Sequence, residues 1–186
     1  MPTPSTTSPN VGNLQVGKGI VSFKREGAAD YRDIGNVSAL TVTPDMTTLE
    51  HFSSREGVKK KDLTIIIEKK STVVFTMEEF TPENLAIGLL GTVDMAAVGG
   101  PEVELFSENA INGKLRFVGT NEVGPKITLD LFNVSILPNG DTNFISDEWN
   151  NMEITGDVLV APEDDVVTEH RGKFGIAKFT NVDVPT

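Results

Sequence analysis

Apolar and polar residues alternate with a period of two in several separate stretches of this chain. A strand points successive side chains to opposite faces, so this period marks strands with one buried face. From Leu63 to Glu68, Leu63, Ile65 and Ile67 alternate with Thr64, Ile66 and Glu68; from Thr72 to Glu79, Val73, Phe75 and Met77 alternate with Val74, Thr76 and Glu78. These two runs predict a strand pair, with Lys69-Lys70-Ser71 as the turn, although it lacks the Gly or Asn that hairpin turns favour. Leu14 to Glu26 predicts a first strand and Tyr31 to Thr43 a second, with Leu40 and Val42 on one face and Pro44 as its stop. Residues 44–62 show no clear period and predict a loop of a length that is usually functional or mobile.

Four more strands are expected over Ile111 to Val118, Lys126 to Leu137, Trp149 to Val160 and Lys173 to Thr180. In the second of these the apolar phase flips at Phe132, which predicts a bulge or a strand buried on both faces. In the third, Met152, Ile154, Val158 and Val160 share one face, while Glu153, Thr155 and Asp157 share the other. Pro138-Asn139-Gly140 and Ala161-Pro162-Glu163 read as turns.

One segment breaks the pattern. Residues 82–90, "PENLAIGLL", carry a full set of helix signals. Thr81 can accept from the unpaired amides of the first turn. Pro82 at the first position gives up an amide that would have no partner, and Glu83 suits the positive end of the helix dipole. Phe80 and Leu85 are placed for a hydrophobic staple, and Gly91 for a left-handed stop. The expected fold is mainly β: a small β-barrel or two-sheet sandwich with one short flanking helix. The 186 residues are expected to make one domain, with residues 1–13 as its flexible N-terminal arm.

Charge changes the picture more than composition does. The net charge is −11, which disfavours nonspecific attraction to nucleic acid or an anionic membrane. Its distribution is uneven. No Lys or Arg lies between Ser71 and Gly113 or between Ile127 and His170, which hold seven and ten acids; ten of the sixteen bases lie between Lys18 and Lys70. A chain divided in this way can offer one basic and one acidic face, as head-to-tail assembly requires.

Catalytic signals are missing. There is no Cys, and neither His51 nor His170 sits in a metal-binding spacing. His170 follows an acidic run, "EDDVVTE", which reads as a solvated loop rather than a metal site. The adjacent carboxylates Glu78/Glu79, Asp147/Glu148 and Asp164/Asp165 cannot face each other across a substrate when they lie on a strand. No enzyme activity, cofactor or metal is expected.

Three segments in order carry a resemblance: "RDIGNV" (Arg32 to Val37), the stretch Leu49 to Gly57 that opens with "LEH", and the helix Thr81 to Gly91. Over roughly residues 15–95 the chain resembles the major tail tube proteins of siphophages, which are related to the tubes of contractile tails and type VI secretion systems. The resemblance implies a structural virion protein. Hexameric rings of it would stack into a tail tube that conducts DNA without binding it specifically, with a tape measure protein and other tail proteins as partners. No C-terminal immunoglobulin-like module is expected. Leu49, His51, Arg55, Lys59, Lys60 and Lys61 become the expected inter-ring contact loop, and Glu68, Glu153 and Asp157 the expected lumen-facing acids. Two other readings stay open: a monomeric β-sandwich module binding a carbohydrate or receptor, and another tail component such as a tail terminator.

Overall fold

The computed structural model describes residues 13–180, except 56, 138, 139, 141 and 164. The expected N-terminal arm, apart from Asn13, and most of the turn at 138–140 therefore lie outside the described residues. The chain is mainly β. Its strands are β1 (Gly19–Arg25), β2 (Arg32–Asp33), β3 (Val37–Ser53), β4 (Lys60–Met77), β5 (Thr92–Asp94), β6 (Glu102–Glu104), β7 (Ile111–Gly119), β8 (Lys126–Ile136), β9 (Met152–Val158) and β10 (Gly175–Thr180). Among the described residues one α-helix, α1 (Pro82–Gly88), follows β4, and a single 3-10 turn lies at Thr168–His170.

Eight strands form one antiparallel sheet in the order β2-β1-β7-β8-β9-β4-β3, with β10 also on β8. β8 divides its outer edge: residues Lys126 to Leu131 pair with β10, and Val134 to Ile136 with β9. The sheet is not closed into a barrel. The chain nevertheless passes from one end of the sheet to the other between β2 and β3. There the Ile34 amide donates to the Val21 carbonyl at 3.1 Å, and the Glu78 amide to the Asn36 carbonyl at 3.0 Å.

The alternation read from the sequence builds the core. Val73, Phe75 and Met77 of β4 meet Ile154 and Met152 of β9, together with Leu115 of β7, Phe23 of β1 and Ile87 of α1. The phase flip at Phe132 is a bulge: the register jumps from Gly113 opposite Val134 to Leu115 opposite Leu131. Leu131 and Val134 both reach the core, while Phe132 is buried against the ring of His170, 3.7 Å between centroids.

Three expectations need correction. The stretch 44–62 is not a loop, and Lys69-Lys70-Ser71 is not a turn. β3 runs through Pro44 to Ser53, β4 runs unbroken from Lys60, and the two form one long hairpin connected by residues 54–59. Periodicity failed because both faces of its outer half are exposed, so no burial imposes alternation. Pro44 is tolerated because β3 is a terminal strand. Third, the expected strand Tyr31 to Thr43 is split at Gly35, which has φ +83°.

The helix starts as expected, with the Thr81 hydroxyl accepting from the Asn84 amide at 3.2 Å. It ends two residues early, and Leu90, not Gly91, takes the left-handed conformation (φ 49°). Gly91 is required for space, since a Cβ there would lie 2.6 Å from the Glu104 carbonyl oxygen. The small β5–β6 hairpin, which has no clear sequence signal, packs on this helix. The carbonyls of Leu89 and Leu90 accept from the amides of Phe106 and Glu108, just beyond it.

Candidate functional site

The feature that the fold leaves without a purpose of its own is the outer half of the β3–β4 hairpin. β4 pairs with β9 only from Ser71 to Met77. Beyond Ser71 the hairpin leaves the sheet as a two-stranded arm, and eleven residues of β4 (Lys60 to Lys70) extend it roughly 35 Å. Thr47 opposite Glu68 jumps to Thr48 opposite Ile66, and a second irregularity follows at His51/Phe52, so the ladder bends on its way out.

Met46, Leu49, Phe52, Leu63, Ile65 and Ile67 are all exposed on this arm. Leu49, Leu63 and Ile65 share one face of the arm and Met46, Phe52 and Ile66 the other. A single exposed Leu is ordinary, but several large apolar side chains exposed on one element point to an interaction site. An isolated two-stranded hairpin is also marginal in water. Four expected contact residues lie along the arm: Leu49 opposite Ile65, His51 opposite Leu63, Lys60 opposite Ser53 and Lys61 opposite Phe52. Arg55 and Lys59 lie in the connection at its tip, both exposed. Polar pairs brace the arm. His51 Nδ1 lies 2.6 Å from Asp62 Oδ1, and Lys61 Nζ donates to Glu50 Oε1 at 2.6 Å.

The acidic candidates share one surface. Asp157 lies opposite Thr72 and Glu153 opposite Thr76, so all four point away from the core residues Val73, Phe75 and Met77. β3 adds Thr41 and Thr43, opposite Val74 and Thr72. The result is a threonine-lined face carrying exposed Glu153 and Asp157. Glu68 continues it at the base of the arm, but not as an unpaired acid. Lys70 Nζ lies 3.0 Å from Glu68 Oε1, and the Thr47 hydroxyl donates to Oε2 at 3.2 Å. These hydrogen bonds, from Lys70 first, hold the Glu68 carboxyl below the usual carboxylate range. The face is therefore acidic at β9 and mixed at the arm.

Two polar clusters inside the body have roles that the sequence alone did not disclose; the first lies where β3 begins, and the second ties β7 to the connection after β9. The first centres on Asn84 of α1, which is fully buried. Its Nδ2 donates to the carbonyls of Ile34 and Glu79, both at 2.9 Å, and its Oδ1 accepts from Arg32 Nη2 at 2.7 Å. Burial pulls the Arg32 pKa down, opposed by the charges of Glu83 and Asp33. The Gly35 amide donates to Asp33 Oδ1 and the Asn36 amide to Glu79 Oε1, at 2.9 and 2.8 Å, and the Asn36 side chain bonds Glu78. A Cβ on Gly35 would lie 2.3 Å from the Glu79 carboxyl carbon. The "RDIGNV" and helix segments are thus two halves of one joint, at the place where β3 sets out toward the arm.

The second cluster overturns the reading of residues 163–170 as merely solvated. Asp165 is buried. Its Oδ2 accepts from Lys114 Nζ at 2.7 Å and its Oδ1 from the Val167 amide at 2.9 Å. Burial alone would raise its pKa, but these two donors, with the Lys114 and His170 charges, hold it below the usual carboxylate range. His170 Nδ1 stands 3.8 Å from Asp165 Oδ1. No three His, Asp or Glu side chains converge to hold a metal among the described residues, and no described helix is long and apolar enough to cross a membrane.

The geometry defines a mainly β domain that carries a long, uncovered apolar arm and an acidic, threonine-lined face. The chain belongs to the family described as "protein of unknown function UCP028589", whose model matches residues 14–100 and again 92–177. Among curated proteins none matches. Among solved structures, a chain of the anti-feeding prophage (AFP) baseplate, 6-fold symmetrised by cryo-EM, has a similar fold. It aligns with TM-score 0.51 at 14% identity, over 96% of this chain and 100% of that one. A chain of the sheath/tube terminator of a PVC extracellular contractile injection system, in its extended state, aligns with TM-score 0.43 at 15% identity, over 89% and 96%.

Proposed function

We propose that this chain is a structural subunit of a phage-type tail, and within it the tube subunit: copies form hexameric rings, and the rings stack into a tube that conducts DNA. The observation that carries the proposal is the arm. Fully burying an apolar side chain of this size contributes roughly 1.5–3 kcal/mol. Met46, Leu49, Phe52, Leu63, Ile65 and Ile67 are each about half exposed, so covering them would supply roughly 5–9 kcal/mol, within the estimated 4–15 kcal/mol cost of association. The surface charge pairs supply little, since exposed ion pairs are worth about 0–1 kcal/mol. Apolar contact drives assembly in this account, and charge selects the register.

The shared fold with a chain of the anti-feeding prophage baseplate supports a tail role. Glu153 and Asp157 on the threonine-lined face suit a bore that repels phosphates. The arm residues Leu49, His51, Arg55, Lys59, Lys60 and Lys61 would contact the adjacent ring. The subunit would work in the virion tail, with the tape measure protein and other tail proteins as partners, and without catalysis. A second reading, another ring component of the same tail such as a terminator, rests on that same likeness to a baseplate chain. Size exclusion and negative-stain microscopy of the purified chain distinguish the two. Hollow tubes of indefinite length identify the tube subunit, and single closed rings identify the other component.

A further inference from the structure

We infer that the connection from Thr142 to Asn151 on one copy is the seat for the arm tip of the next copy. The inference rests on the self-assembly proposed above and adds its receiving surface. Phe144, Ile145 and Trp149 are 63%, 97% and 96% exposed in this connection, and Trp149 is the chain's one tryptophan. Bulky aromatic anchors of this kind dominate interface energetics once a partner covers them.

Position, charge and reach identify the partner as a second copy. The β4–β9 ladder runs from Ser71 opposite Val158 to Met77 opposite Met152. The arm leaves the sheet beyond Ser71, and the connection enters it at Met152, so the two surfaces lie at opposite ends of one ladder. Different surfaces at opposite ends make a heterologous contact, which repeated along the ladder direction grows an open stack when its rotation does not close into a ring. Residues 142–151 carry Asp147 and Glu148 and no base, whereas residues 52–61 carry Arg55, Lys59, Lys60 and Lys61 against the single acid Glu56. The tip is basic where the seat is acidic, which fixes partner and register. The arm, roughly 35 Å long, begins where the β4–β9 ladder ends and runs away from it, so its tip stands clear of β9.

The test compares wild type with Ile145→Ala/Trp149→Ala and with Asp147→Lys/Glu148→Lys, alone and combined with Lys59→Glu/Lys60→Glu/Lys61→Glu. The concentration at which assemblies appear is read by light scattering, and thermal melting checks each fold. We expect the alanine pair to raise that concentration tenfold or more, each charge variant to raise it, and the combined charge swap to restore it. A second measurement places Cys at Val58 and Ile145, in a chain that has none, and applies a short bis-maleimide. Cross-links between copies in assembled material support the seat. If wild type assembles while the alanine pair assembles equally well, or while no cross-link forms, the seat is wrong and the tube reading survives. If wild type does not assemble, both fall.

Discussion

Asn84 donates or accepts three hydrogen bonds with its side chain, and all three cross from the helix to other segments. Replacing it with Ala leaves the buried Ile34 carbonyl without that donor and Arg32 without its acceptor. Asn84→Ala should therefore cost about 3 kcal/mol, measured by urea unfolding. A loss under about 1 kcal/mol would mean that the joint is held elsewhere. Asp165 behaves differently because it is charged. Its folded pKa is depressed, so its contribution is present above the unfolded value near 3.8 and is lost as pH falls through the lower folded value. Asp165→Asn should cost about 2–3 kcal/mol at neutral pH. The gap from wild type should shrink as pH falls below 3.8, and a gap independent of pH would contradict the assignment. Neither role was legible beforehand. Asn84 looked like one polar residue in the first turn of a helix, and Asp165 like one acid in an acidic run. Only the approach of distant segments makes either special.

At the scale of elements, legibility followed burial. The strands with one buried face, the bulge at Phe132 and the helix start at Thr81 were all written in the spacing of apolar residues. The arm was not. Ile65, Ile66 and Ile67 are all exposed, so the period of two that located Leu63 to Glu68 gave no hint that the strand runs on through Lys69-Lys70-Ser71. Pro44 misled because a strand interior excludes proline, whereas a terminal strand does not. If the arm exists to be covered, changing its apolar surface should spare the fold and stop assembly. Ile65→Asp with Ile67→Asp should leave the melting temperature within a few degrees, because neither side chain is in the core, and should abolish polymers in light scattering. Lys59→Glu with Lys60→Glu and Lys61→Glu should only weaken assembly, about tenfold or less at low salt, with the difference fading as salt rises. Polymers that form normally from both variants would remove the arm from the account.

The whole molecule divides its charge, and the structure gives that division a geometry: bases toward the arm tip, acids on β9 and on the connection before it. If Glu153 and Asp157 face a bore, they matter by keeping phosphates off. Assemblies of Glu153→Lys with Asp157→Lys should retain duplex DNA fragments at low salt in a filter-binding assay, while wild-type assemblies let them pass. Equal retention would place that face elsewhere. All of this depends on the chain assembling with itself into something hollow. The direct measurement is negative-stain microscopy of purified wild-type protein across a concentration series. The account predicts hollow tubes of uniform width and sixfold end-on symmetry, growing with concentration. A protein that remains monomeric at the highest concentration reached, with its arm uncovered, would contradict it.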